Sequence, residues 1–131
     1  MQASMRHIYG LGETVLDLIF KNNQPIAAKP GGSVLNALVS LARVGNKVHF
    51  VSELGHDRVG NLIVDFFTDN GIGWDCVQRY PSGQSSLAMA FLDDCNDATY
   101  EFYKPYPEVR QLITPPHFTS GDVVLFGSFY A

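Results

Sequence analysis

The run GGSVLNALVSLARVG at residues 31–45 constrains this chain more than any other stretch. Gly31-Gly32-Ser33 opens a helix in which Val34, Leu35, Leu38, Leu41, Ala42 and Val44 recur at helical spacing. Ser33 suits an N-cap, and Gly45 suits the stop after Val44. The apolar face is wide, as in a helix laid on a sheet. Flanking runs supply the strands. IYGLGETVLDLIF, residues 8–20, reads as a buried strand, a glycine-containing bend and more strand, and KVHFVSEL, residues 47–54, as the next strand. A second helix is expected at 58–70, capped by Asp57, buried through Val59, Leu62, Ile63, Phe66 and Phe67, and ended by Gly71. Strand, helix, strand, helix over residues 8–71 predicts an α/β sheet with crossover helices.

The pattern then changes. Residues 26–30 read as a short extended piece after the NNQP turn, and 74–80, 85–92 and 98–104 as three short strands. Pro81-Ser82-Gly83 and the polar cluster Asp93–Asp97 separate them, the second as a hairpin turn. Along the second strand Ala88, Ala90 and Leu92 share one face, and along the third Tyr100 and Phe102 do. An antiparallel insertion in an α/β chain is a natural lid. Pro105 and Pro107 break it, Glu108–Ile113 reads as one or two helical turns, and Asp122–Gly127 as a buried strand with an apolar edge.

The 131 residues suffice for one domain with a real core. No apolar run approaches the ~20 residues of a membrane helix, and the first ten residues carry no secretory h-region. Net charge is −4, with nine Lys and Arg dispersed singly, which argues against a nucleic-acid partner. Cys76 and Cys95 read as reduced thiols of a cytoplasmic protein, and the four histidines lack metal-ligand spacing.

Four constellations offer chemistry. Gly10-Leu11-Gly12 hints at a dinucleotide fingerprint, but Val15 stands where a third glycine is needed. Asp17 lies inside VLDLIF, where a carboxylate is costly unless paired or bound to something, or exposed at a strand end. Gly31 and Gly32 let backbone N–H groups approach a ligand at a helix start, and Asn36 follows one turn on with an amide suited to a polyol. A plain loop-to-helix junction explains the same residues. Gly55-His56-Asp57-Arg58-Val59-Gly60 reads as a turn, a helix cap and a close-packed helix start, with a supporting role at the site as the alternative.

Taken in order, these pieces resemble the N-terminal portion of PfkB-type, ribokinase-like carbohydrate kinases. The matching stretches are Gly12-Glu13 with Asp17, then Gly31, Gly32, Asn36, Ala37 and Val44-Gly45, then ELGHDRVG at 53–60 and TYEFYK at 99–104. The resemblance implies the N-terminal part of a three-layer α/β/α fold with a small β-sheet lid. The body would take about 6–22, 31–72 and 106–131, and the lid about 23–30 and 73–105. It implies a sugar site of Asp17, Gly31, Gly32, Asn36, Ala88, Ala90 and Phe102, and a homodimer contact through the lid. Phe102 in FYK is similar to fructokinase-type members, and Ser33 stands where ribokinase-like sequences often carry Lys.

The family's second signature, Asp-Thr-x-Gly-Ala-Gly-Asp, supplies the general base and the anion hole, and nothing in residues 1–131 matches it. The resemblance therefore implies a sugar kinase that uses ATP and Mg²⁺ at full length. This chain would supply pocket and lid, hold no catalytic residue, bind the cofactors poorly, depend on a missing C-terminal half and be inactive alone. The alternative is a non-catalytic, truncated sugar-binding or dimerisation module.

Overall fold

The structure is a computed structural model, and it describes residues 6–105, 107 and 116–127. In chain order the elements are β1 (His7–Leu11), β2 (Val15–Lys21), β3 (Gln24–Gly31), α1 (Ser33–Arg43), β4 (Lys47–Gly55), α2 (Arg58–Asp69), β5 (Ile72–Gly73), β6 (Val77–Tyr80), β7 (Leu87–Leu92), β8 (Ala98–Tyr103) and β9 (Val123–Phe126). No helix among them is long and apolar enough to cross a membrane.

Two sheets form. The larger runs β5-β4-β1-β9, with β6 also on β4, and every pairing is parallel. Parallel neighbours need crossovers, and α1 supplies the one from the β3 end into β4. α1 and α2 cover one sheet face. Val34, Leu35 and Leu38 of α1 and Ile63, Val64 and Phe67 of α2 form one cluster with Ile8, Val48, Phe50 and Leu54. Phe50 and Phe67 meet edge-on at 5.5 Å between ring centroids.

The smaller sheet runs β3-β2-β7-β8. β2 turns into β3 through Asn22 and Asn23, both at positive φ, as a tight hairpin between right-twisted strands requires. β7 and β8 form the expected hairpin around residues 93–97, and β7 lies parallel to β2.

Several expectations shift. Residues 8–20 are not one bent strand, because β1 and β2 enter different sheets. Residues 15–21, expected in the body, pair in the small sheet. Residues 73–80, expected with the lid, include strand residues that pair in the large one, where Val77 and Tyr80 are buried. The first of the three predicted lid strands is therefore a parallel body strand. The cap of α1 is Gly32, with no side-chain hydrogen bond, so Ser33 is the first helical residue instead. Val44 is 77% exposed, being past the helix end, and Leu62 is exposed while Val64 takes a buried place on α2. Asp57 caps α2 as expected. The predicted turns at Glu108–Ile113 lie outside the described residues.

Candidate functional site

Strand register assembles the candidate site. Asp17 on β2 stands opposite Lys29 on β3 and Ala88 on β7. Ala88 in turn stands opposite Phe102 on β8, and Ala90 opposite Tyr100. Directly paired residues share a face, so Lys29, Asp17, Ala88 and Phe102 form one row across the small sheet. Ile19, Ala90 and Tyr100 form the next. The two buried alanines keep the floor low between the carboxylate and the exposed aromatic rings. Tyr100 and Phe102 stack at 6.1 Å, and Lys104 Nζ sits 5.1 Å from the Phe102 centroid.

Opposite this face runs α1. Asn36, Ser40 and Arg43 recur at i, i+4 and i+7 and lie on one stripe. Between stripe and sheet opens a cleft of about 560 Å³, lined among others by Asp17, Lys29, Gly31, Asn36, Ala90 and Tyr100. The two glycines do different work. A β-carbon on Gly31 would fall on the Asp17 carboxylate, so glycine is what lets the carboxylate lie against this backbone. Gly32 has φ +125° and turns the chain into α1, and a β-carbon there would come within 2.6 Å of the Glu13 carbonyl oxygen. Thr14 Oγ1 fastens the junction by donating to the Gly31 carbonyl at 2.8 Å.

Partial burial pushes the Asp17 carboxyl above its ordinary range, and the nearby Lys29 ammonium opposes the rise. Among the described residues, no hydrogen bond engages the Asp17 carboxylate. A half-buried carboxylate with open lone pairs is suited to accept from hydroxyl groups of a ligand.

Of the residues expected from sequence, the structure brings Asp17, Gly31, Asn36 and Ala90 into this cleft. Ala88 sits on the same face, one position from Asp17. Gly32 shapes the helix entry, and Phe102 lines not this cleft but a neighbouring one of about 600 Å³, with Asp57, Ser85 and Lys104. Lys29, Ser40, Arg43 and Tyr100 also line the first cleft and were not anticipated. Helical spacing from Asn36 was a readable signal for Ser40 and Arg43. Lys29 needed the register of a hairpin across the Asn22-Asn23 turn.

The model of the pfkB family carbohydrate kinases matches residues 5–125, nearly the whole chain. The chain belongs to that family. It is 26% identical over 98 residues to a fructokinase of Vibrio alginolyticus, covering 75% of this chain and 32% of that protein. A fructokinase structure from Xylella fastidiosa superposes with a TM-score of 0.67 at 29% identity, covering 76% of this chain and 34% of the other. A fructokinase from Vibrio cholerae O395 does so at 0.68 and 26%, covering 76% and 34%. The fold is thus part of the ribokinase-like three-layer α/β fold, and the chain spans about a third of the length of the relatives it matches. A fructokinase of Xylella fastidiosa with bound ATP superposes with a TM-score of 0.66 at 28% identity, covering 78% of this chain and 34% of the other. Among the described residues, no cluster of three His, Cys, Asp or Glu side chains is placed to hold a metal ion. The described residues therefore supply no three-ligand site for the Mg²⁺ that the family resemblance implies.

Proposed function

We propose that this chain forms the sugar pocket and lid of a fructokinase-like carbohydrate kinase, which transfers the terminal phosphoryl group of ATP to a sugar hydroxyl. The observation that carries this reading is the convergence of Asp17, Gly31, Asn36 and Ala90 on one cleft between a small sheet and the start of α1. In this reading Asp17 accepts from sugar hydroxyls and Asn36 both donates and accepts. Gly31 admits the carboxylate, Gly32 sets the helix entry, and Ala88, Ala90 and Phe102 form the lid surface over the ring. Phosphoryl transfer needs a base and charge stabilisation around the phosphoryl group. We assign both, with the ATP and Mg²⁺ sites, to a C-terminal portion beyond these residues, and the enzyme to the cytoplasm.

Calorimetric titration with D-fructose and D-ribose tests the site. Millimolar fructose binding that D17A abolishes is the expected result, and absence of binding to either sugar overturns it. The chain alone is expected to phosphorylate no sugar, and activity in a preparation free of host kinase would refute that division. The second reading, a sugar-binding or dimerisation module without catalysis, draws on the exposed rings of Tyr100, Phe102 and Tyr103 on the lid. Sedimentation velocity separates the two: a dimer that never complements a separately expressed C-terminal portion favours the module.

A further inference from the structure

We propose that Asp57 and Ser85 form a clasp that holds the lid sheet on the body, which makes Asp57 a positioning residue for the cleft as well as a helix cap. The Asp57 carboxylate makes three short bonds. Oδ1 accepts from Gly60 N–H at 2.7 Å and from the Ser85 hydroxyl at 2.7 Å, and Oδ2 accepts from Ser85 N–H at 2.7 Å. A helix cap needs the first alone. The other two reach across the chain to the segment that leaves the body for β7. Ser85 Oγ also accepts from Gly55 N–H at 3.1 Å, so one buried hydroxyl is tied to both the end of β4 and the start of α2.

Ser85 stands where the lid's two later crossings meet. β7 begins two residues beyond it, and Gln84 N–H donates to the Pro105 carbonyl at 3.1 Å, joining the outgoing strand to the returning one. Leu16 N–H donates to the Ser86 carbonyl at 3.1 Å and carries the tie to β2, the strand of Asp17. The body side is braced as well. Arg79 donates to the Gly55 carbonyl at 3.0 Å and to Asn61 Oδ1 at 2.8 Å, and the Tyr80 hydroxyl donates to the Gln84 carbonyl at 2.9 Å. Burial opposes charge on Asp57, but the bonds from Ser85 and Gly60, with the Arg79 charge, hold its carboxyl below the ordinary range. The lid's other crossing pair is held by the Thr14 hydroxyl on the Gly31 carbonyl and by the pairing of Val15 with Gly31. Loss of the clasp therefore leaves this crossing held through the Tyr80 hydroxyl bond to Gln84, a looser attachment that widens the lid's range of motion about the Thr14–Gly31 side.

The chain carries its own distance ruler. Trp74, its single tryptophan, sits on the body and donates from Nε1 to Thr68 of α2. Cys95 is exposed in the turn at the lid tip. With Cys76 replaced by serine, an acceptor dye on Cys95 reports the Trp74-to-lid distance distribution by time-resolved energy transfer. S85A removes both hydroxyl bonds of the tie and keeps the Ser85 N–H bond and the cap of α2, and D57N keeps one acceptor oxygen for the cap while removing the charge and the second acceptor.

Each variant is expected to broaden the distribution and shift its mean while far-ultraviolet dichroism stays that of the wild type. An unchanged distribution in folded variants overturns the clasp, and so does loss of fold in both. The effect on the cleft rests on the sugar reading: fructose affinity should fall about tenfold in S85A, a coupling of about 1.4 kcal/mol. A broadened distribution with no fructose binding to the wild type would leave the clasp standing and refute the sugar reading.

Discussion

Replacing Gly31 with alanine perturbs the cleft with one methyl group. Gly31 has no positive φ, so alanine suits its backbone, and the effect lies in what the methyl meets. The new carbon would overlap an oxygen of the Asp17 carboxylate and stand 3.0 Å from its Cγ, well inside ordinary contact. Because Asp17 is half-buried at the rim of an open cleft, its carboxylate yields by rotating away. Leaving a preferred rotamer costs about 0.5–1.5 kcal/mol, so the fold survives with a modest loss in thermal midpoint. The ligand loses more. A hydrogen bond to a charged group contributes about 1.5–3 kcal/mol, so displacing the carboxylate from one sugar hydroxyl should weaken fructose binding by roughly 10- to 150-fold. Calorimetric titration of wild type, G31A and D17A, with thermal melts alongside, reads both quantities. Full affinity in G31A with lost affinity in D17A would refute the close-approach argument, and full affinity in both would remove the cleft as the sugar site.

Asp17 should be a stability liability. Its folded pKa is raised above the ordinary 3.8, so the native state binds more protons than the unfolded one, and stability falls as pH rises through that window. D17N is therefore expected to raise the urea midpoint at pH 7 and leave it little changed at pH 3, while abolishing fructose binding. Asp57 behaves oppositely: its folded pKa is lowered, so its contribution is full above 3.8 and is lost as pH falls through the folded value. D57A should cost about 1–2 kcal/mol for the cap and about 1–3 kcal/mol for the Ser85 N–H left without its acceptor, and should flatten the acid limb of urea titrations. Burial, then the stacked His7 ring, whose Nδ1 lies 2.7 Å from His49 Nε2, lowers the His49 pKa. The His49 contribution to stability is present above 6.5 and lost as pH falls through its folded value, and H49Q should remove that slope in melts between pH 7.5 and 5.5. Leu35 and Phe50 are 0% exposed, so L35A and F50A should cost about 2–5 kcal/mol each in urea unfolding.

What could be read from sequence was local. α1, β4 and α2 followed from apolar spacing, with Gly45 at φ +94° and Asp57 as end signals. Asp17, Gly31 and Asn36 stood out because a carboxylate in an apolar run, a glycine pair and a helix-borne amide each need a reason. Sheet membership was hidden, because it depends on partners far along the chain. Leu16 pairs with Leu87, and nothing in VLDLIF says so. The same pairing decides which side chains reach the cleft. Tyr100 was visible as sharing a face with Phe102, but it joins Asp17 through the β2–β7–β8 register. β6 was misplaced for a related reason: a short strand between turns looks alike whether it extends an insertion or closes a parallel sheet.

The architecture also keeps the cleft apart from the open edge of the large sheet. Parallel sheets are stable when both faces are covered. Here α1 and α2 cover the face of Ile8, Val48 and Phe50. β9 is the edge strand beside β1, and its register puts Val124 beside Tyr9 and Phe126 beside Leu11, on the face away from those helices. Phe126 is 68% exposed. Asp122 pins the start of this edge by accepting from His7 N–H at 3.2 Å and Thr119 N–H at 2.8 Å. The strand is thus held in register on β1 while its outer edge and much of its apolar surface stay open among the described residues. The cleft lies elsewhere, between the small sheet and α1, and among the described residues its lining runs from Asp17 to Tyr100. The relatives it matches run about three times this length, and among the described residues the open edge of β9 is a surface separate from the cleft.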